Sequence, residues 1–97
     1  MQIVYLKKFL DFSTKHSDSR KSLASWKAVT EKVAWNNKQD VLNSFPKAKI
    51  IKNNRAIFEI LHNNYRLIAQ IDYEDQIVQI RFISTHAEYD NINAETI

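Results

Sequence analysis

Glycine and cysteine are both absent from this 97-residue chain, and proline occurs only once, as Pro46. Average usage would place about seven glycines in a chain of this length. Phosphate-binding loops, dinucleotide fingerprints, nucleophile elbows and EF-hand loops all require glycine, so the sequence excludes these sites. The lack of cysteine excludes disulfides, thiolate zinc sites and a cysteine nucleophile.

Long apolar runs are also missing, and none approaches the roughly 18 residues of a membrane span. The first ten residues lack the apolar core of a secretory signal. We therefore expect a cytoplasmic protein with no membrane partner. Hydrophobic residues make up 44% of the chain and charged residues 26%. These fractions are typical of a globular domain, and the length predicts one domain over residues 1–97.

The net charge of +3 is unevenly distributed along the chain. Residues 1–38 contain eight basic and three acidic side chains, residues 39–71 five and two, and residues 72–97 one and six. A basic body with an acidic end favours anion binding, although a solvated surface has the same pattern.

Hydrophobic periodicity predicts three helices in the first half of the chain, after a short strand at 1–4. The first helix covers 5–15. The second runs to about residue 34 and is capped by Ser17 or Asp18, and the third is capped by Asn37 and ends at Phe45. Pro46 bars its continuation.

After Pro46 the period changes to two, which predicts strands at 48–52, 55–61, 65–72 and 77–84. Asn53-Asn54 is suited to a two-residue hairpin turn, because asparagine tolerates positive φ better than most residues. Asn63-Asn64 is expected to do the same in the next turn. The order of elements predicts an α+β fold with N-terminal helices packed on an antiparallel β-meander.

Alternation divides the predicted strands into two faces. The face expected to pack on the helices carries Ala56, Phe58, Ile60, Tyr65, Leu67, Ala69, Ile71, Val78, Ile80 and Phe82. The opposite face carries Lys52, Arg55, Ile57, Glu59, Arg66, Ile68, Gln70, Gln79, Arg81 and Ile83. Turn lengths predict these cross-strand neighbours: Lys52 with Arg55, Glu59 with Arg66, Ile68 with Arg81, and Gln70 with Gln79.

Four cations on one sheet face, Lys52, Arg55, Arg66 and Arg81, predict a site for a multiply charged anion. A nucleic acid backbone is the obvious candidate, because phosphate contacts supply most of such affinity and arginine binds phosphate bidentately. Gln70 and Gln79 add amide groups for RNA contacts on the same face. In the alternative interpretation, Arg66 pairs with Glu59 and the other cations are merely solvated.

The last predicted strand leads into His86 and Tyr89, which share one side of a helical turn if residues 87–92 form one. Histidine exchanges protons near neutral pH, although a lone histidine is more often a cap or an exposed ring. Thr85 and Glu88 have the spacing of a capping box. The three histidines lie in separate segments, so no metal or other cofactor is expected. Clustered cations with a histidine and a tyrosine are suited to metal-independent transesterification of RNA by its own 2′-OH.

Several segments over about residues 1–92 resemble the HigB-type toxins of the RelE superfamily. The most specific is Ile80-Arg81-Phe82-Ile83-Ser84-Thr85-His86-Ala87-Glu88-Tyr89-Asp90. The others are Trp26-Lys27-Ala28 through Ala34-Trp35, Asp40-Val41, Phe45-Pro46-x-Ala48, Arg55-x-Ile57-Phe58-x-Ile60 and Asn63-x-Tyr65-Arg66-Leu67-Ile68.

The resemblance implies a ribosome-dependent mRNA endonuclease that enters the ribosomal A site. Such a protein is the toxin of a bacterial type II toxin–antitoxin pair, and its partner is usually a helix-turn-helix antitoxin of the HigA type. The resemblance implies function for Arg66, Arg81, His86 and Tyr89, with Lys52 and Arg55 as RNA contacts. The alternatives are a non-catalytic inhibitor that binds RNA or the ribosome, and a degenerate toxin.

The chain departs from the family pattern at two glycine positions. It has Leu61-His62-Asn63 where the family commonly has Gly-Gly-Asn, and Ser84 where glycine commonly precedes Thr-His. Both positions flank strands that carry proposed site residues, so we expect differences from relatives in the hairpin geometry and in the aim of His86.

Overall fold

Four α-helices and a five-stranded sheet form the fold in the computed structural model, which describes all of residues 1–97. In chain order the elements are β1 (Gln2–Val4), α1 (Leu6–Lys15), α2 (Arg20–Lys32), α3 (Lys38–Ser44), β2 (Lys49–Ile51), β3 (Arg55–Ile60), β4 (Tyr65–Asp72), β5 (Ile77–Thr85) and α4 (His86–Tyr89). A single 3₁₀ turn, Ser17–Ser19, joins α1 to α2. No helix combines the length and the apolar character that crossing a membrane requires.

Side-chain caps fix the starts of α3 and α4, but not those of α1 and α2. Asn37 caps α3 as predicted, since its side chain accepts a hydrogen bond of 3.0 Å from the Asp40 main-chain N–H. The predicted cap of α2 is wrong. Ser17 and Asp18 belong to the 3₁₀ turn, and α2 begins one residue after Ser19. The Ser19 hydroxyl donates to the His16 carbonyl instead, which holds the turn closed.

The core lies between the helices and one face of the sheet. Trp26 and Trp35 are buried there and contact Phe58, with ring centroids 5.4 and 6.2 Å from it. Phe45 packs edge-on against the same Phe58 ring at 5.2 Å. Aromatic side chains from α2, from the loop between α2 and α3 and from the residue after α3 thus meet on β3. Their burial is the main source of stability in so small a domain.

The sheet order is β1-β5-β4-β3-β2. The strands β2 to β5 form the predicted antiparallel meander. At the other edge β1 pairs with β5 in parallel, with Gln2 opposite Ile77, so the complete sheet is mixed. The α+β class and the packing of the helices on the meander are therefore confirmed.

One extra residue in β5 changes the predicted register. Gln70 lies opposite Gln79 as predicted, but Ile68 lies opposite Phe82 and not opposite Arg81. Arg81 is the additional residue of a β-bulge. Beyond the bulge every side chain changes face, so the predicted faces of Phe82 and Ile83 are wrong: Ile83 packs on the helix-side core.

The β2–β3 hairpin also differs from its prediction. Ile51, and not Lys52, lies opposite Arg55, because the turn contains three residues and Lys52 is the first of them. Asn53 and Asn54 adopt φ of 64° and 56°, as expected for asparagines that replace glycine.

The β3–β4 turn places its left-handed residues elsewhere. The positive φ angles fall on Leu61 (51°) and His62 (59°), and neither Asn63 nor Asn64 has one. The expectation for Asn63-Asn64 is therefore wrong. The turn conformation follows the two positions where relatives commonly have glycine, although this chain has side chains there.

The exposed His62 gives a direct test of this strain. A left-handed conformation costs an L-residue roughly 1–2 kcal/mol, part of which glycine loses again through its unfolded-state entropy. His62→Gly is expected to raise the free energy of unfolding by about 0.5–1 kcal/mol, measured by urea denaturation. His62→Ala retains Cβ and is the matched control. Equal stability of the two variants would contradict a strained turn.

Candidate functional site

The face of the sheet turned away from the helices, called the outer face below, carries three cross-strand rows. The first row is Arg55, Gln70 and Gln79, the second is Ile57, Ile68 and Phe82, and the third is Glu59, Arg66 and Ser84. The cations predicted to share this face are therefore separated by an apolar row. Gln70 follows Arg66 by four residues along β4, so their backbones are roughly 13 Å apart at strand spacing.

Arg66 lies in the third row, beside α4. Its guanidinium carbon is 5.7 Å from the centre of the Tyr89 ring, which is within cation–π range. One guanidinium nitrogen also donates to the Asn63 carbonyl at 3.0 Å. Glu59 lies opposite Arg66 in the sheet, yet the two side chains form no ion pair within 4.0 Å. The alternative pairing of Arg66 with Glu59 is thus not formed.

The helix α4 follows β5 directly and is fixed by the predicted capping box. The Glu88 main-chain N–H donates to the Thr85 hydroxyl at 3.2 Å, and the Glu88 carboxylate accepts from the Thr85 N–H and hydroxyl at 3.1 and 3.0 Å. These hydrogen bonds, with smaller contributions from the charges of Lys15 and His16, lower the pKa of Glu88. The box holds the first turn of a helix that is too short to be stable alone.

His86 and Tyr89 lie on this short helix, three residues apart. His86 is exposed, and its Nδ1 lies 3.3 Å from a carboxylate oxygen of Asp90. That contact orients the ring and leaves Nε2 as the nitrogen free for proton exchange. The structure thus brings Arg66 and Tyr89 into contact and places His86 one helical turn away on the same exposed segment.

Ser84 precedes Thr85 at the position where relatives commonly have glycine. It is fully buried opposite Arg66, and its backbone continues β5 without a positive φ. Its hydroxyl has no hydrogen-bond partner within the protein. The strand exit at Ser84 is therefore regular, and the serine places one buried hydroxyl opposite Arg66.

Arg55 and Arg81 meet under the C-terminal tail, residues 91–97. Arg55 is only 6% exposed, and one of its nitrogens donates to the main-chain oxygens of Ala94 at 3.0 Å and Ile97 at 2.8 Å. The Nε of Arg81 donates to the same Ile97 oxygen at 3.3 Å. Burial, and then the neighbouring charge of Arg81, lower the pKa of Arg55.

The remaining predicted contacts are dispersed. Lys52 is exposed in the β2–β3 turn, away from Arg66. Gln70 and Gln79 face each other across β4 and β5 and line a polar groove of about 390 Å³. Asp72 and Glu74 line the same groove, and their carboxylates disfavour a phosphate there.

The predictions missed a second basic surface, on α1. Between α1 and the end of β5 lies a groove of about 460 Å³, lined by the basic side chains of Lys8, Lys15, His16 and Arg81 and by the carboxylates of Asp11 and Glu88. The Lys8 ammonium donates to the Arg81 carbonyl at 2.9 Å, next to the bulge. Lys8 and Lys15 are seven residues apart, so two helical turns place them on one face. That spacing is the signal in the sequence that predicts this basic surface.

Tyr65 joins the start of β4 to the helices packed beneath the sheet. Its hydroxyl donates to both carboxylate oxygens of Asp18, at 2.8 and 3.0 Å, and this hydrogen bond raises the pKa of Tyr65. The rings of Phe12 and His16 pack against it, both with centroids at 5.2 Å. These contacts attach α1 and the 3₁₀ turn to the start of β4, one residue before Arg66.

The geometry places a basic constellation on a small α+β domain. No group of three or more His, Asp or Glu side chains is arranged to hold a metal ion. Residues 19–92 match the family model of the HigB toxins, described as the RelE-like toxic component of a toxin–antitoxin system. The chain belongs to this family, which implies an antitoxin as its partner. No curated protein matches the chain in sequence.

The capping box of α4 gives a pH-dependent prediction. Because the pKa of Glu88 is lowered from 4.5 in the folded protein, the box contributes fully above about 4.5 and is lost as pH falls through the lowered value. Thr85→Ala is expected to move the pKa of Glu88 back toward 4.5 and to speed amide exchange in residues 86–91.

Carboxyl titration and hydrogen exchange by NMR measure both effects. Thr85→Ser retains the hydroxyl and is the matched control. An unchanged Glu88 titration in Thr85→Ala would show that the box does not hold α4.

Proposed function

We propose that the chain is an mRNA endonuclease toxin that cuts on the ribosome. The observation that carries the proposal is the Arg66 guanidinium against the Tyr89 ring, with His86 on the same short helix. Membership of a RelE-like toxin family makes RNA the expected substrate. The basic groove of Lys8, Lys15 and His16 extends the surface available to a polyanion.

The proposed reaction uses the substrate's own 2′-OH as nucleophile. Its oxygen attacks the adjacent phosphorus, the bond to the 5′ oxygen of the next nucleotide breaks, and a 2′,3′-cyclic phosphate and a 5′-OH remain. One proton leaves the 2′-OH and one is delivered to the departing oxygen. The protein therefore needs a cation for the developing phosphorane charge and two proton-exchanging groups, and no metal is required.

The side chains near α4 supply these roles. Arg66 stabilises the phosphorane oxygens. Arg81 is the second cation, but it lies beside Arg55 across the apolar row, and so it is proposed to hold a neighbouring phosphate of the same RNA strand. His86 and Tyr89 are the proton-exchanging pair, with His86 oriented by Asp90. The proposed RNA contacts farther from α4 are Lys52 and Arg55, which face phosphates, and Gln70 and Gln79, whose amides are proposed to contact bases or sugars because Asp72 and Glu74 disfavour a phosphate beside them.

The proposed setting is the cytoplasm, with the ribosomal A site positioning the mRNA and a HigA-like helix-turn-helix antitoxin neutralising the toxin. A site built on one exposed four-residue helix is open, and so it depends on another body to hold the RNA in line for attack. This openness favours action on the ribosome over action on free RNA.

Induction in a bacterial host tests the two main residues. Wild type is expected to arrest growth and to create new mRNA 5′ ends, visible by primer extension. Arg66→Ala and His86→Gln are each expected to reduce cleavage at least about 100-fold, because each removes a group used in the transition state.

The matched control is Arg20→Ala, which removes an exposed arginine on the helical side. Circular dichroism verifies that each variant folds. Full toxicity in both site variants would overturn the assignment. Translation arrest without new 5′ ends would favour the non-catalytic inhibitor, and the buried Ser84 hydroxyl beside Arg66 is the feature that suits that candidate.

Tyr89→Phe separates two roles of one side chain. Phenylalanine retains the ring against Arg66 but cannot exchange a proton, so cleavage should fall about 100-fold while RNA affinity stays near wild type. Tyr89→Ala also removes the ring and should weaken RNA binding. Full cleavage by Tyr89→Phe would restrict Tyr89 to positioning Arg66.

A further inference from the structure

Two arginines converge on one oxygen atom at the first row of the outer face. Arg55 and Arg81 come from different strands, yet both donate to the Ile97 main-chain oxygen, at 2.8 and 3.3 Å. Arg55 also donates to the Ala94 oxygen. Two guanidinium groups aimed at one oxygen form the geometry that proteins use for phosphate oxyanions.

No acidic side chain compensates the charge of this pair. Neither arginine has an Asp or Glu carboxylate within 4.0 Å, and the accepting groups are the Ala94 carbonyl and an oxygen of Ile97, the last residue of the printed sequence. Arg55 is almost completely buried, and its Nε has no hydrogen-bond partner within the protein. A buried cation beside a like charge is costly unless an anion is bound, so the pair is suited to an anionic ligand.

The hydrogen bonds that join the tail to the sheet come from three side chains, Asn53, Arg55 and Arg81. The Asn53 side chain donates to the Glu95 carbonyl at 3.0 Å, and Asn93 closes a tight turn by accepting from the main-chain N–H groups of Glu95 and Ile97. The tail residues that meet the sheet, 94–97, follow the segment matched by the family model, which ends at residue 92. Arg55 and Arg81 lie inside that segment.

We propose that Arg55 and Arg81 form a phosphodiester-binding site for RNA, and that the C-terminal tail is its displaceable cover. The proposal rests on the proposed function, because RNA is the anion it assigns. In the covered state the main-chain oxygens of Ala94 and Ile97 stand where phosphate oxygens bind. RNA must displace the tail to bind Arg55 and Arg81, and so the tail lowers the affinity for RNA.

Removal of residues 93–97 tests the cover, with a fluorescein-labelled 12-nucleotide single-stranded RNA as probe. Fluorescence anisotropy over a salt series should show about tenfold tighter binding by the shortened chain, and a slope of log affinity against log salt steeper by about 1.4, for two added phosphate contacts. In the shortened chain, Arg55→Gln or Arg81→Gln should return the affinity toward that of the full chain.

Asn53→Gly tests the cover in the full-length chain. Glycine accepts the φ of 64° at this position and removes only the side chain that holds Glu95. RNA binding should tighten about threefold, because one hydrogen bond that keeps the tail on the sheet is lost while both arginines remain. Asn54→Gly, at the neighbouring φ of 56°, is the matched control, because the hydrogen bond from this turn to the tail comes from the Asn53 side chain and not from Asn54. Thermal melts verify the fold of each variant.

Equal affinity and equal salt slope for the full and shortened chains would overturn the cover, even if both cut mRNA on the ribosome. Tighter binding and a steeper slope without any cleavage would support the cover while the proposed endonuclease function fails. The two proposals are therefore separable in one set of proteins.

Discussion

The β-bulge at Arg81 is the constraint on which the candidate site depends. Without the extra residue, Arg66 would face Ile83 and the strand would reach its end one position out of register. With it, Ser84 lies opposite Arg66 and Thr85 lies opposite Tyr65, where it caps α4. Because α4 starts at this point, Tyr89 reaches the Arg66 guanidinium. Bulges are often found where a strand must re-aim a side chain beside a functional site.

The lack of glycine acts through the turns that flank the same strands. In the β2–β3 turn, Asn53 and Asn54 adopt the left-handed conformation at a modest cost in free energy. Leu61 and His62 adopt the same conformation just before β4 with larger side chains. Strain of this kind persists only where surrounding packing imposes it, here the aromatic core on β3 and the Tyr65–Asp18 anchor at the start of β4. The conformation expected of glycine is thus maintained without the residue.

Much of the fold was predictable because its signals are local. The change from a helical period to a period of two, the Asn37 cap and the Thr85–Glu88 capping box all depend on residues a few positions apart. The parallel pairing of β1, the bulge at Arg81 and the position of the C-terminal tail depend on contacts between distant segments, which leave no periodic signal. The faces of Phe82 and Ile83 were wrong for that reason.

The candidate site was also predictable only in its local features. The family pattern and strand alternation indicated Arg66, His86 and Tyr89, and the structure brings Arg66 and Tyr89 into contact. Strand alternation also placed Arg55 on the outer face, but it could not show that main-chain oxygens from residues 94 and 97 cover it. The spacing of Lys8 and Lys15 predicts a basic face on α1, but its position beside β5 depends on how the helix packs on the sheet.

End-group analysis of mRNA fragments tests the central claim most directly. Purified protein, ribosomes and a defined mRNA are incubated together, and the new ends are examined chemically. The account predicts cleavage only in the presence of ribosomes, with 2′,3′-cyclic phosphate and 5′-hydroxyl ends that disappear in Arg66→Ala. Intact mRNA, or fragments with 5′-phosphate and 3′-hydroxyl ends, would contradict it.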